Sequence, residues 1–150
     1  MLDFLRRLFG GDSEPPRLPP IPPPSSPSSR QYERRITAED RDAFPLEIVG
    51  ESNYQPALKR ARAQSDGHSR IVNVSVVREA DNPYDGNAVK VVNANGDTIG
   101  YLARPEAARY APVMDRKGMA EIACRALLLG GTRDKPSIGA WLNLPEPERL

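Results

Sequence analysis

The sequence contains one cysteine, one histidine and one tryptophan, and aromatic residues make up 6% of its 150 positions. A single thiol, Cys124, excludes an internal disulfide framework, argues against a four-ligand zinc site and suits a reducing, cytoplasmic setting. The single histidine, His68, lies in Ser65-Asp66-Gly67-His68-Ser69, a loop by composition, where a lone imidazole reads as a solvated residue rather than a catalytic base. There is no glycine-rich loop carrying a phosphate-binding lysine and no His-x-x-x-His pair. Asp81 and Asp85 supply two carboxylates, fewer oxygens than a bound cation demands. This inventory points away from an enzyme, and neither cofactor nor metal is expected. Charge is lacking too. The formal net charge is +1, so no strong positive field draws in polyanions as in a sequence-blind nucleic-acid coater. Long apolar runs are also missing. Asp3, Arg6 and Arg7 interrupt the first nine residues, so no signal-peptide core and no transmembrane helix is expected.

Proline is the excess. Eight of the sixteen prolines lie between Pro15 and Pro27 and divide the chain into zones. Residues 1–11 open with a short amphipathic stretch, Leu2, Leu5, Leu8 and Phe9 on one helical face, stopped by Gly10-Gly11. Nine residues are too few for a stable isolated helix, so ordering requires a partner surface. Residues 12–43 read as polyproline II grading into a serine-rich, disordered linker. A folded domain is expected over 44–144, with 145–150 as a tail.

Within that domain the pattern is mainly β. Pro45–Gly50 alternates apolar and polar residues and predicts a first strand. Pro56 opens a short helix running to about Gln64. Arg70–Glu79 is the clearest strand, with Val72, Val74 and Val76 on one face. Ala88–Val92 and Thr98–Leu102 form a hairpin around Asn93-Ala94-Asn95-Gly96-Asp97. A helix follows from about Pro105 with Ala107, Tyr110, Ala111 and Met114 on one face, and Pro112 predicts a kink or break in it. Met119–Leu129, with Ile122, Cys124, Ala126 and Leu128 on one face, and Ile138–Leu144 supply the closing strands. About six strands with one or two short helices predict a small barrel or strongly bent sheet.

Between the second and third strands lies Asn82-Pro83-Tyr84-Asp85-Gly86-Asn87-Ala88-Val89. Taken with Val49-Gly50-Glu51-Ser52-Asn53-Tyr54, Val76-Val77-Arg78-Glu79, Gly96 and Ile99-Gly100-Tyr101-Leu102, it resembles the successive blocks of the HIRAN domain family across nearly all of 44–144. The resemblance implies an OB-like barrel. In members fused to Swi/Snf-type helicases it implies capture of the 3′ end of single-stranded DNA. The ATPase and RING parts of those larger members do not fit within this chain. By position in the motif, Tyr84 would stack on a terminal base and Asp85 would accept a hydrogen bond from the 3′-hydroxyl while repelling a 3′-phosphate. Asn82 would bond the turn or the sugar-phosphate, Tyr54 matches an aromatic of the family, and Tyr101 and Arg104 fall where further contacts lie, Arg104 suiting a phosphate.

Each role has a plainer competitor. Asn82, Pro83 and Asp85 are also what a tight turn requires, and Tyr54 and Tyr101 also suit a half-buried core. Ser52-Asn53 departs from the family, whose DNA-binding members carry a basic residue and an aromatic there, so one phosphate contact and one stacking face are missing. Residues 44–144 hold thirteen lysines and arginines against eleven acids, a balance close to neutral. Lys59, Arg60 and Arg62 would compensate if their helix bordered the groove, although a solvated basic face is the simpler reading. Two functions are therefore expected. The first is a module binding single-stranded DNA 3′ ends beside a helicase or nuclease acting in trans, in repair or fork processing. The second is a protein-interaction adaptor docking through residues 1–11.

Overall fold

The computed structural model describes residues 38–65 and 70–150; the amphipathic start, the proline tract and His68 lie outside them. Six antiparallel strands close into a barrel: β1 (Leu46–Val49), β2 (Ile71–Arg78), β3 (Val89–Asn93), β4 (Thr98–Leu102), β5 (Glu121–Gly130) and β6 (Ile138–Leu142). Their order around the wall is β1-β4-β3-β2-β5-β6, and β1 pairs with β6 to complete the circuit. The expected β-rich barrel with small helices is what the chain forms. All six strands begin and end within a few residues of the sequence reading, because period-two burial and turn chemistry mark them locally. Among the described residues three α-helices accompany them: α1 (Ala38–Asp42), α2 (Gln55–Gln64) and α3 (Arg104–Lys117). Among the described residues, no helix is long and apolar enough to cross a membrane.

The interior is filled by alternate strand residues and by the buried faces of the two longer helices. Ile48, Val76, Val89, Val91, Ile99, Leu128 and Leu142 pack with Leu58 of α2 and Met114 of α3 in one core cluster. The walls approach closely at Gly100, where an added Cβ would sit 2.7 Å from Ile48 Cδ1 and 2.9 Å from the Val49 carbonyl oxygen. Gln55 joins α2 to the wall as a strand residue would. Its Nε2 donates to the Ile138 carbonyl at 3.0 Å and its Oε1 accepts from the Ile138 N–H at 2.9 Å.

Two features differ from the sequence reading. Pro112 lies inside α3 without breaking it. Both it and Ala108, whose carbonyl loses the N–H that Pro112 lacks, are exposed, so water can serve that carbonyl. The helix ends at Gly118 in the left-handed region (φ 64), with Met119 N–H returning to the Met114 carbonyl at 2.8 Å. The second feature is burial on both faces of the second half of β5. Leu127 and Leu129 point away from the interior and pack with Phe44, Ile71 and Trp141 in a separate cluster. The Arg41 guanidinium of α1 lies 5.7 Å from the Trp141 ring centroid, within a stretch that reads as linker. At the other end of the chain Pro147 is buried and the Tyr110 hydroxyl donates to the Pro145 carbonyl at 2.8 Å. Arg109 pairs with Glu146 at 2.5 Å, so residues past 144 pack on α3.

Candidate nucleic-acid interface

The loop between β2 and β3 is built by its own side chains. Asn82 Oδ1 accepts from the backbone N–H of Tyr84 at 2.8 Å and of Asp85 at 3.1 Å, an Asx turn. Asp85 Oδ1 accepts from the Asn87 N–H at 2.9 Å. The backbone closes through Asn82 N–H to Glu79 at 3.2 Å, Ala88 N–H to Asp85 at 3.1 Å and Glu79 N–H to Ala88 at 2.9 Å. Arg78 clamps the far side. Its guanidinium donates to the Gly86 carbonyl at 2.6 Å and the Ala88 carbonyl at 3.1 Å, and pairs with Asp115 of α3 at 3.0 Å.

A consequence of this bracing is the exposure of Tyr84. Its residue is 86% exposed, on a backbone whose N–H is already bonded, so the ring stands out from a fixed base. Beside it opens a groove of about 470 Å³ lined by Val49, Tyr54, Glu79, Asn82, Pro83, Tyr84, Asp85, Ala88, Tyr101, Leu102 and Arg104. All six residues singled out from the sequence, Tyr54, Asn82, Tyr84, Asp85, Tyr101 and Arg104, therefore line one concavity. Strand pairing brings its walls together, since Val49 of β1 is the register partner of Tyr101 of β4.

The residues differ in what they can offer. Tyr54 and Tyr101 are half-buried, with ring centroids 6.3 Å apart and planes tilted by 46°, and form an aromatic floor. The Tyr101 hydroxyl donates to Glu79 at 3.1 Å. Burial above all, then the bond to Glu79 and its negative charge, raise the Tyr101 phenol well above its ordinary range, so it stays protonated. Asp85 gives one carboxylate oxygen to the turn, and no hydrogen bond from the described residues reaches the other. Arg104, exposed at the start of α3, forms no ion pair with a described residue and is the one cation in the lining. Each plainer reading thus has its share: Asn82 is a turn-former, Asp85 is half a turn-former, and the Tyr54–Tyr101 pair is half core.

Other residues are not brought here. Ser52 and Asn53 are exposed on a 3-10 turn (Glu51–Asn53), and Ser52 lines a separate depression with Glu47, Glu51 and Trp141. Lys59, Arg60 and Arg62 do not line the groove; Arg60 pairs with Asp97 at 3.3 Å and Arg62 donates to the Gly130 carbonyl. Compensation by α2 is absent: Lys59 is exposed away from the groove lining, and Arg60 and Arg62 reach the β3–β4 turn and the end of β5. Sequence reasoning missed Arg78 and Glu79, which end and follow β2, because their partners lie up to 37 residues away. Their adjacency to the motif was the signal that could have found them. Among the described residues no cluster of three or more histidine, cysteine or acidic side chains could hold a metal ion.

Residues 53–125 match the HIRAN domain. A 44-residue stretch is 52% identical to the helicase-like transcription factor of Oryctolagus cuniculus, covering 29% of this chain but only 4% of that protein. A crystal structure of a protein from Lactobacillus plantarum is 24% identical with a TM-score of 0.45, covering 65% of this chain and 86% of the other. The NMR structure of the HLTF HIRAN domain in its DNA-bound conformation is likewise 24% identical, with a TM-score of 0.39, covering 64% and 68%. With its motif blocks set in this order around a closed six-stranded barrel, the chain matches the HIRAN domain family over residues 53–125.

Proposed function

We propose that the groove beside Tyr84 binds nucleic acid, and that its ligand is the 3′-hydroxyl end of single-stranded DNA. The observation that carries the reading is the pairing, on one braced turn, of a ring 86% exposed with a carboxylate that keeps one oxygen for a ligand. An exposed tyrosine on a rigid base stacks a nucleobase with little loss of side-chain freedom, a contact worth roughly 1–3 kcal/mol. The remaining Asp85 oxygen accepts a hydrogen bond from a terminal hydroxyl and repels a terminal phosphate. Arg104 at the rim takes the adjacent phosphodiester. The HIRAN match supports the same reading, since that resemblance implies end capture.

In this reading the domain holds a DNA end and performs no bond chemistry, and a helicase or nuclease supplied in trans acts on what it holds. The test is fluorescence anisotropy with a short oligonucleotide ending in 3′-hydroxyl or 3′-phosphate. Binding should fall at least about ten-fold with the phosphate, the scale of losing one charge-assisted hydrogen bond and adding repulsion. Equal affinity for both ends, or for neither, overturns end recognition.

A further inference from the structure

Glu79 closes one of the motif blocks and lines the groove, yet none of the expected ligand contacts falls to it. One carboxylate oxygen, Oε1, accepts from Asn82 Nδ2 at 3.2 Å, and the other, Oε2, accepts from the Tyr101 hydroxyl at 3.1 Å. An asparagine amide can lie either way round, and its hydrogen bonds decide which. A carboxylate only accepts, so it draws Nδ2 toward itself. That turns Oδ1 toward the Tyr84 and Asp85 N–H groups, which it accepts at 2.8 and 3.1 Å. In the reversed amide, Oδ1 would face the Glu79 charge and Nδ2 would face two backbone donors, unfavourable at every contact. The same carboxylate takes the hydroxyl proton of Tyr101 and holds that ring at the groove floor against Tyr54.

We propose that Glu79 is a positioning residue of the groove: its carboxylate fixes the Asn82 amide and the Tyr101 hydroxyl together, and acts on a ligand only through them. The proposal deepens the reading of this groove as a nucleic-acid site and rests on it for its functional consequence. Its structural part is independent of any ligand, because the chain of bonds from Tyr101 through Glu79 and Asn82 to the Tyr84 and Asp85 backbone exists in the free protein.

Three variants of the full chain test it. Glu79→Ala removes the acceptor. Glu79→Gln keeps the shape, because its carbonyl oxygen can accept from Asn82 while its amide donates to the Tyr101 oxygen. Glu79→Asp shortens the arm by one methylene and reaches only one donor, and it carries the comparison should Glu79→Ala unfold the barrel. Two readouts are taken: the Asn82 side-chain amide signals in a nitrogen-edited NMR spectrum of the free protein, and anisotropy with the 3′-hydroxyl oligonucleotide.

The expected result is that Glu79→Ala shifts the Asn82 signals, speeds their exchange with water and weakens binding about ten-fold, whereas Glu79→Gln stays within about two-fold of wild type. Unchanged Asn82 signals in Glu79→Ala overturn the proposal. So does a Glu79→Gln variant as weak as Glu79→Ala, which would assign the effect to the charge itself. If the wild-type chain binds no oligonucleotide while Glu79→Ala still releases the Asn82 amide, the ligand reading falls and the positioning role stands.

Discussion

At the scale of single residues, Tyr84 and Cys124 show how exposure decides what a side chain can contribute. Tyr84 is 86% exposed, so truncating it leaves little unpacked. Tyr84→Ala is expected to weaken oligonucleotide binding by about 1–3 kcal/mol, a lost base stack, while shifting stability by no more than about 0.5 kcal/mol. Anisotropy alongside a urea melt checks both. Cys124 is the opposite case. Half-buried on β5, its thiol is raised from 9.0 to about 11 by burial alone. A thiol held protonated in the fold but free to ionise when unfolded contributes stability that is complete below pH 9 and lost as pH rises toward about 11. Tyr110, raised from 10.0 to about 12, chiefly by burial, prolongs the decline. Urea midpoints should therefore fall across that alkaline window, and less steeply in Cys124→Ala. The same shift makes Cys124 slow to react with disulfide reagents at neutral pH. How far a residue's role could be read from sequence also depends on its partners. Asn82 as a turn-former follows from its own neighbours, two and three residues on. The Tyr101–Glu79 bond, spanning 22 residues, does not.

At the scale of elements, the β2–β3 loop is braced because Arg78, at the end of β2, bonds its carbonyls and is itself paired with α3. Arg78 has a side chain only 10% exposed, and its two carbonyl bonds and the pair with Asp115 are what tie the loop to α3. Asp115 is 54% exposed, so screening by water leaves the ion pair itself a small part of the effect. Arg78→Met, which keeps much of the packing, is expected to cost about 2–3 kcal/mol through the lost bonds to loop carbonyls. It should also raise amide exchange across residues 82–88 more than elsewhere, as hydrogen-exchange mass spectrometry would report. Binding should weaken with Tyr84 and Asp85 both intact, which would separate presentation of the site from its chemistry. The strands themselves were legible because their burial alternates. The second half of β5 was legible only on one face, since Phe44, Ile71 and Trp141, distant in sequence, cover the other.

At the scale of the whole molecule, charge and topology set the character of the interface. A near-neutral chain with one cation in its groove cannot rely on counterion release. The slope of log affinity against log salt is expected to lie near −0.7 to −1.4, about one or two phosphates on a single strand. A slope steeper than about −3 would mean that DNA lies across a broad basic surface outside the groove, and titrations at several salt concentrations decide it. The closed barrel supplies the rest. It sets Val49 opposite Tyr101 and carries Tyr54, the β2–β3 loop and the start of α3 to one rim, giving a shaped site without a large patch of charge.

What the amino-acid sequence determined by itself was whatever short-range physics writes: strand periodicity, helix starts at Pro56 and Pro105, turn chemistry at Asn82 and Asn93, and the motif blocks of the family. Tertiary structure alone decided that six named side chains share one groove, that Arg78 and Glu79 brace it, and that Ser52 and the basic residues of α2 stand away from it. The reason is that strand pairing and barrel closure join residues tens of positions apart. A local pattern specifies which way a side chain faces along its own strand, and only closure specifies what it meets there.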